Sequence, residues 1–426
     1  MRTPRAAATI AVAGAILIPT LGTAAPANAA GSAGNLILIG GALNENAQIL
    51  QRIVADADPD GSGPATARIA IVTAASVPAT SAAEAADPTQ SNAAANGLYY
   101  ADLFERFGAD TYLVPIDLEA NYAGDPYVPG NADSAAVADQ VRASTGVFFS
   151  GGDQSRYVAT LLDCAPAANG AFTSCTDTPV LGAVRDVLDA GGVVSGSSAG
   201  LTIQQGADMV TGGESYEAWR YGAYAGTGIG DSDLTYLPYG GFEFFTEGLL
   251  DSHFGTWGRQ ARMIALADET AHDLVVGVDE TTALVYDRAT RQGEVIGANG
   301  VSVLDLYGAD IVGTRAEGIR WHYLVSGDRI DFATLAVTAG TTERSGAGTG
   351  SGPTVKRDIW DSPAGSGGTS SMVNQAKALV KSSASVAQGT TWERNPRYRT
   401  YLDRVGTTRW WTTGGFEGLE VSFIPE

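Results

Sequence analysis

The run Gly196-Ser197-Ser198-Ala199-Gly200 sets two hydroxyls among small residues, and the 426-residue chain holds only three histidines, His253, His272 and His322, that could activate either one. The run fits G-x-S-x-G with Ser198 at its centre. Gly192 to Ser195 before it reads as a strand, and LTIQQGADM after it can begin a helix. On such a turn the central residue is forced into a strained backbone conformation that only small neighbours tolerate. Its hydroxyl projects beside a helix N-terminus, where free N–H groups can stabilise an oxyanion. Ser198 is therefore the candidate nucleophile, and Ser197 a spacer or helix cap. Taken alone, the motif also suits an ordinary turn or a phosphate-binding loop.

A serine nucleophile needs a base and an acid to orient it. His253 lies in LLDSHFGTWGRQARM, beside Asp251 and ahead of Arg259 and Arg262. His272 falls in a turn before a strand and reads as a solvated or capping residue. His322 sits in RWHYLV, which alternates like a peripheral strand. Glu280 follows LVVGVD, just past a strand end. Two chain orders stay open. Serine, acid, histidine is the α/β-hydrolase order and would give an esterase using His322. Serine, histidine, acid uses Ser198, His253 and Glu280.

These residues need a scaffold, and the apolar pattern supplies one. Short apolar runs at Leu36–Ile39, Ile69–Thr73, TYLVPID, Val147–Ser150 and Gly192–Ser195 alternate with helical stretches near Tyr99–Phe107 and Val180–Leu188. Strands separated by helices predict an α/β fold, a doubly wound, mostly parallel sheet covered on both faces. Ligands collect at the carboxyl ends of such strands. The loops to watch are Gly40-Gly41, Ser150 to Gln154 and Gly196 to Gly200.

The early IGG turn, Gly151-Gly152-Asp153-Gln154, G-x-S-A-G, Asp251 to Phe254 with Arg259 and Arg262 after it, and Gly277 to Ala283 occur in an order that resembles the cyanophycinase-like serine peptidases, which include the aspartyl dipeptidases. The resemblance spans roughly Asn35 to Phe332. It implies a flavodoxin-like or class I glutamine-amidotransferase-like fold and a Ser198–His253–Glu280 triad. It implies an oxyanion hole from the N–H groups of Gly152 and Ala199, and no cofactor. Gln154, Asp251, Ser252, Trp257, Arg259 and Arg262 fall on positions that hold substrate. The implied substrate is a peptide or cyanophycin-type polymer with β-aspartyl-arginine units. Two positions depart from the pattern: Ser252 stands for the glutamine of DQHF, and Trp257 for an arginine. A guanidinium stacked on Trp257 could replace the lost polar contact. A catalytically retired polymer-binding protein is the alternative of another class.

Composition bounds the rest. Arg2 and Arg5, an apolar run to about Leu21 and Ala27-Asn28-Ala29 predict a signal peptide over residues 1–29 and hence a secreted protein. The run is too short for a membrane span of about 20 residues. A net charge of -21 argues against nucleic acid or anionic lipid as partners. A homodimer is left open. Cys164 and Cys175, the only cysteines, are spaced to close a small disulfide loop in an oxidising compartment. Few soft ligands remain, so no metal site is expected. The peptidase domain is expected over 30–340. Residues 341–426 read as Gly/Ser-rich linker and an aromatic C-terminal extension, whose Trp410 and Trp411 suit packing or polymer binding.

Overall fold

The first-half apolar runs become strands β1 (Asn35–Ile39), β2 (Arg68–Val72), β3 (Asp110–Val114), β4 (Gly146–Phe149) and β5 (Val193–Ser197). They lie in the order β1-β5-β4-β2-β3, with every neighbouring pair parallel. The period of two sends Leu36 and Leu38 to one face and Ile37 and Ile39 to the other. Helices Ala47–Asp56 and Ala93–Glu105 cover the second face. Helices Ala135–Arg142, Gln154–Leu161 and Pro179–Asp189 cover the first. This computed structural model describes residues 34–58, 61, 63–165, 170–226, 230 and 232–426; the expected signal peptide, 1–29, lies outside them.

Beyond Ser197 the chain adds β6 (Leu249–Asp251), β7 (Leu274–Val278), β8 (Thr282–Asp287), β9 (Gln292–Gly297), β10 (Gly300–Asp305), β11 (Arg315–Val325), β12 (Arg329–Asp331) and β13 (Ala336–Thr338). After them come β14 (Val386–Thr390), β15 (Tyr398–Trp411) and β16 (Phe416–Pro425). β8 pairs antiparallel with β1, and β9, β12 and β13 extend that edge. The first sheet is therefore mixed. A second sheet runs β6-β7-β10-β11-β16-β15-β14, antiparallel except for the β6–β7 pair and the short strand Lys356–Arg357, which lies parallel along the outer edge of β14. The helix–strand alternation carries no sign of it. The two sheets share one apolar core.

The expected boundary at residue 340 does not coincide with a break. β16 lies along β11, with Trp321 opposite Leu419 and Tyr323 opposite Phe416, so the C-terminal segment is interior to the second sheet. Trp410 and Trp411 are buried, which leaves them to packing rather than to a polymer. The stretch SPAGSGGTSS is no linker. It wraps two buried carboxylates: Asp358 accepts from the amides of Ser362 and Ser366, and Asp361 from those of Thr369 and Ser371. Small hydroxyl-bearing residues serve here as donors to a satisfied buried charge.

The Cys164–Cys175 disulfide is present and joins strands Leu162–Cys164 and Cys175–Asp177. Among the described residues no helix is long and apolar enough to cross a membrane.

Candidate active site

β5 ends at Ser197, and Ser198 takes φ 57°, ψ -115°, the strained turn that its motif predicts. Its neighbours have no room to be larger. A Cβ on Gly196 would stand 2.1 Å from the Gly200 carbonyl oxygen, and one on Gly200 2.1 Å from that of Phe149. The short helix Ala199–Thr202 follows. The N–H groups of Ala199 and Gly152 donate to no acceptor among the described residues. Gly151 abuts the serine: a Cβ there would lie 3.9 Å from Ser198 Oγ.

His253 and Glu280 come from the ends of β6 and β7. His253 Nε2 lies 2.8 Å from Ser198 Oγ, and its Nδ1 lies 2.7 Å from Glu280 Oε1. A carboxylate only accepts, so Nδ1 carries the proton toward Glu280 and Nε2 is left to accept from the serine hydroxyl. Burial holds the His253 pKa below its ordinary value, and the Arg259 charge adds to this, while the hydrogen bond to Glu280 opposes it. The imidazole is thus kept neutral at pH 7.

One turn anchors all three loops. The Ile39 carbonyl accepts from Ser198 N–H (3.0 Å), Gly40 from His253 N–H (2.7 Å) and Gly41 from Thr281 N–H (2.9 Å). Gly41 has φ 104°, and a Cβ there would fall 2.2 Å from the His253 ring. The sequence marks Gly40-Gly41 as a strand-end loop but says nothing of this anchoring. Asp279 is a second residue missed. It is buried, accepts from Gly255 N–H (2.7 Å) and Tyr323 Oη (2.6 Å), and so pins the loop after His253 while Glu280 faces the imidazole. Burial pushes its carboxyl up to about 6. Its only signal in the sequence is the Asp-Glu pair at a strand end.

The residues expected to hold substrate divide. Arg262 grips Asp251 through Nε (2.9 Å) and Nη2 (2.8 Å) and donates Nη1 to the Gly213 carbonyl (2.6 Å). Both side chains are buried, at 6% and 1% exposure. Arg259 donates to the Ser252 carbonyl (2.8 Å) and to Asp251 (3.3 Å), and Ser252 is buried too. Asp251, Ser252 and Arg262 therefore form an internal clamp beneath His253, in which each charge is met inside the fold. Arg259 keeps partial exposure. Gln154 opens its helix and donates to the Val210 carbonyl (2.8 Å). Trp257 is 43% exposed, but its Nε1 donates to Glu280 Oε1 (3.3 Å), and its ring lies beside Gly368. It supports the acid as well as facing solvent.

The other histidines stand apart. His272 Nε2 meets Asp208 Oδ2 at 3.0 Å. His322 is buried opposite Val303, with neither ring nitrogen bonded among the described residues, and burial pushes its pKa down to about 4. The serine–acid–histidine arrangement with His322 is not assembled.

No family model matches the chain. It is 26% identical over 208 residues to a cyanophycinase of Nostoc sp., covering 48% of this chain and 57% of that protein. It is 26% identical over 254 residues to a cyanophycinase of Geminocystis herdmanii, covering 57% and 80%. The chain thus spans little more than half the length of the first of these relatives. Among solved structures, a peptidase from an acI-B1 actinobacterium aligns at 19% identity with a TM-score of 0.47, over 71% of this chain and 98% of that one. By these sequence similarities the chain is a distant homologue of the cyanophycinases.

Proposed function

We propose that the protein is an exported serine peptidase that hydrolyses aspartyl peptide bonds through an acyl-enzyme. The observation that carries this reading is the unbroken hydrogen-bond path from Ser198 Oγ through His253 to Glu280, 2.8 and 2.7 Å long. In the first step Ser198 Oγ attacks the scissile carbonyl carbon while His253 Nε2 takes the hydroxyl proton. The negative charge on the carbonyl oxygen is met by the Ala199 and Gly152 amides, which are free of acceptors among the described residues. His253 then protonates the leaving amine, and the C–N bond breaks. Water repeats the sequence on the ester, releasing the acid and restoring Ser198. Glu280 holds the imidazole tautomer and stabilises its charged form throughout.

The parallel core with the nucleophile at its carboxyl edge is the part we assign to a flavodoxin-like or glutamine-amidotransferase-like arrangement. The distant homology to proteins named cyanophycinase supports β-aspartyl-arginine polymer as the substrate. The test is to incubate the protein with purified cyanophycin and identify products by mass, beside fluorophosphonate labelling of the wild type and of Ser198→Ala. Dipeptide products with label on wild type alone are expected. An unlabelled wild type that releases nothing would leave a binding protein instead.

A further inference from the structure

Next to the Gly151–Gly152 turn the surface opens into a cleft of about 480 Å³ lined by Ser76, Asn96, Tyr100, Gly151, Asp153 and Arg156 among others. It borders the nucleophile through Gly151, which is both part of its wall and packed on Ser198. Ser76 links the two ends. Its hydroxyl donates to the Gly151 carbonyl (3.4 Å) and accepts from Asn96 Nδ2 (2.8 Å), and its own carbonyl accepts from Arg156 Nη1 (2.8 Å). That bond orients the guanidinium, and among the described residues its other N–H donors meet no acceptor. No ion pair to Arg156 occurs among the described residues, in contrast to Arg262. Asp153, the nearby acid of the cleft wall, is turned to its own helix and accepts from the Ser155 amide (2.9 Å) and hydroxyl (2.6 Å).

Arg156 is half-buried and oriented, and buried Asp117 feels its charge from beyond ion-pair distance. With no carboxylate in direct contact among the described residues, its fork is open to a ligand carboxylate. The geometry points to this cleft as a carboxylate subsite, in which Arg156, with Asn96 and Tyr100 beside it, binds a free carboxylate that the substrate carries within about a residue of the scissile bond. This rests on the peptidase reading for its purpose. It differs from the sequence expectation, which placed Arg259 and Arg262, and not Arg156, among the residues that hold substrate.

The probe is β-aspartyl-arginine dipeptide with two analogues, one amidated at the aspartyl α-carboxyl and one at the C-terminus. Binding is measured by calorimetry on Ser198→Ala, alone and combined with Arg156→Ala or Arg156→Lys. Arg156→Ala should weaken the dipeptide by at least about tenfold. One amidated analogue should lose as much on the Arg156 protein, and the two losses should not add; which analogue does so identifies the carboxylate. Arg156→Lys should keep part of the affinity. The subsite is overturned if the losses add, if Arg156→Ala leaves binding unchanged, or if the dipeptide does not bind at millimolar concentration. A lowered Tm with unchanged affinity would make Arg156 a mere support for Ser76 and overturn it equally. Fluorophosphonate labelling of the wild type separates this from the peptidase reading. Label without carboxylate coupling removes the subsite alone, and coupling without label removes the serine chemistry alone.

Discussion

The parallel half and the antiparallel half place their catalytic candidates by different means. Ser198 is set by its immediate neighbours, where a strand ends, a helix begins and glycines two residues to either side leave room for the strained turn. His253 and Glu280 are set from far away. The loop of His253 is held by Asp279, which is held by Tyr323 of β11, itself braced by β16 near the end of the chain. The halves meet at Ile39–Gly41, whose consecutive carbonyls receive one N–H from each loop. A nucleophile can thus be specified by a short motif, whereas its base and acid depend on two sheets closing correctly around one turn.

Breaking the chemistry itself should give the largest effect. Ser198→Ala and His253→Ala should each cost on the order of 10⁴–10⁶ in kcat on a cleavable peptide, and Glu280→Gln about 10⁴. His322→Ala should stay within a few-fold, as its ring bonds to nothing among the described residues. A reversal of the two histidines would return the base to β11.

Attacking the meeting point comes next. Gly41→Ala drives a methyl toward the His253 ring, so kcat should fall by roughly 10² from misplacement alone. Single-turnover rates and a thermal melt check this. A loss confined to Tm would mean that the turn supports the fold and not the imidazole.

Loosening the antiparallel half indirectly should cost less activity. Tyr323→Phe removes the hydroxyl from buried Asp279, and urea unfolding should report a loss of about 1–3 kcal/mol. The accompanying change in kcat should be smaller than for Gly41→Ala. If kcat falls more, the path through Asp279 positions His253 more tightly than the turn does.

The mildest probe is pH. The reaction requires neutral His253, and burial with the Arg259 charge lowers its pKa. The acid limb of kcat/KM should therefore lie below the ordinary histidine value of about 6.5. Arg259→Gln should move it upward. An acid limb above that value in the wild type would show that the Glu280 bond outweighs burial.

Apolar runs, helix periodicity and the G-x-S-x-G turn are legible because each depends on residues a few positions apart. The disulfide spacing is legible for the same reason. The second sheet is not, because pairing β11 with β16 is a choice among strands distant in sequence, and alternation alone names no partner. The Gly/Ser-rich tail misleads because composition does not distinguish a flexible linker from a loop whose hydroxyls and amides satisfy Asp358 and Asp361.

By itself, the sequence determined the parallel core, the strained serine and the short roster of histidines and acids that could serve it, since local sterics and burial period act without knowledge of the rest. Only the tertiary structure decided which of those groups meet. Asp251 and Arg262 carry the residue types of a substrate clamp, yet face each other inside the protein. Arg156, with the same chemistry, is left with an open cleft before it. A charged side chain is spent or available according to what the fold brings within about 4 Å of it, and that distance is set by strand pairing, which no residue type records.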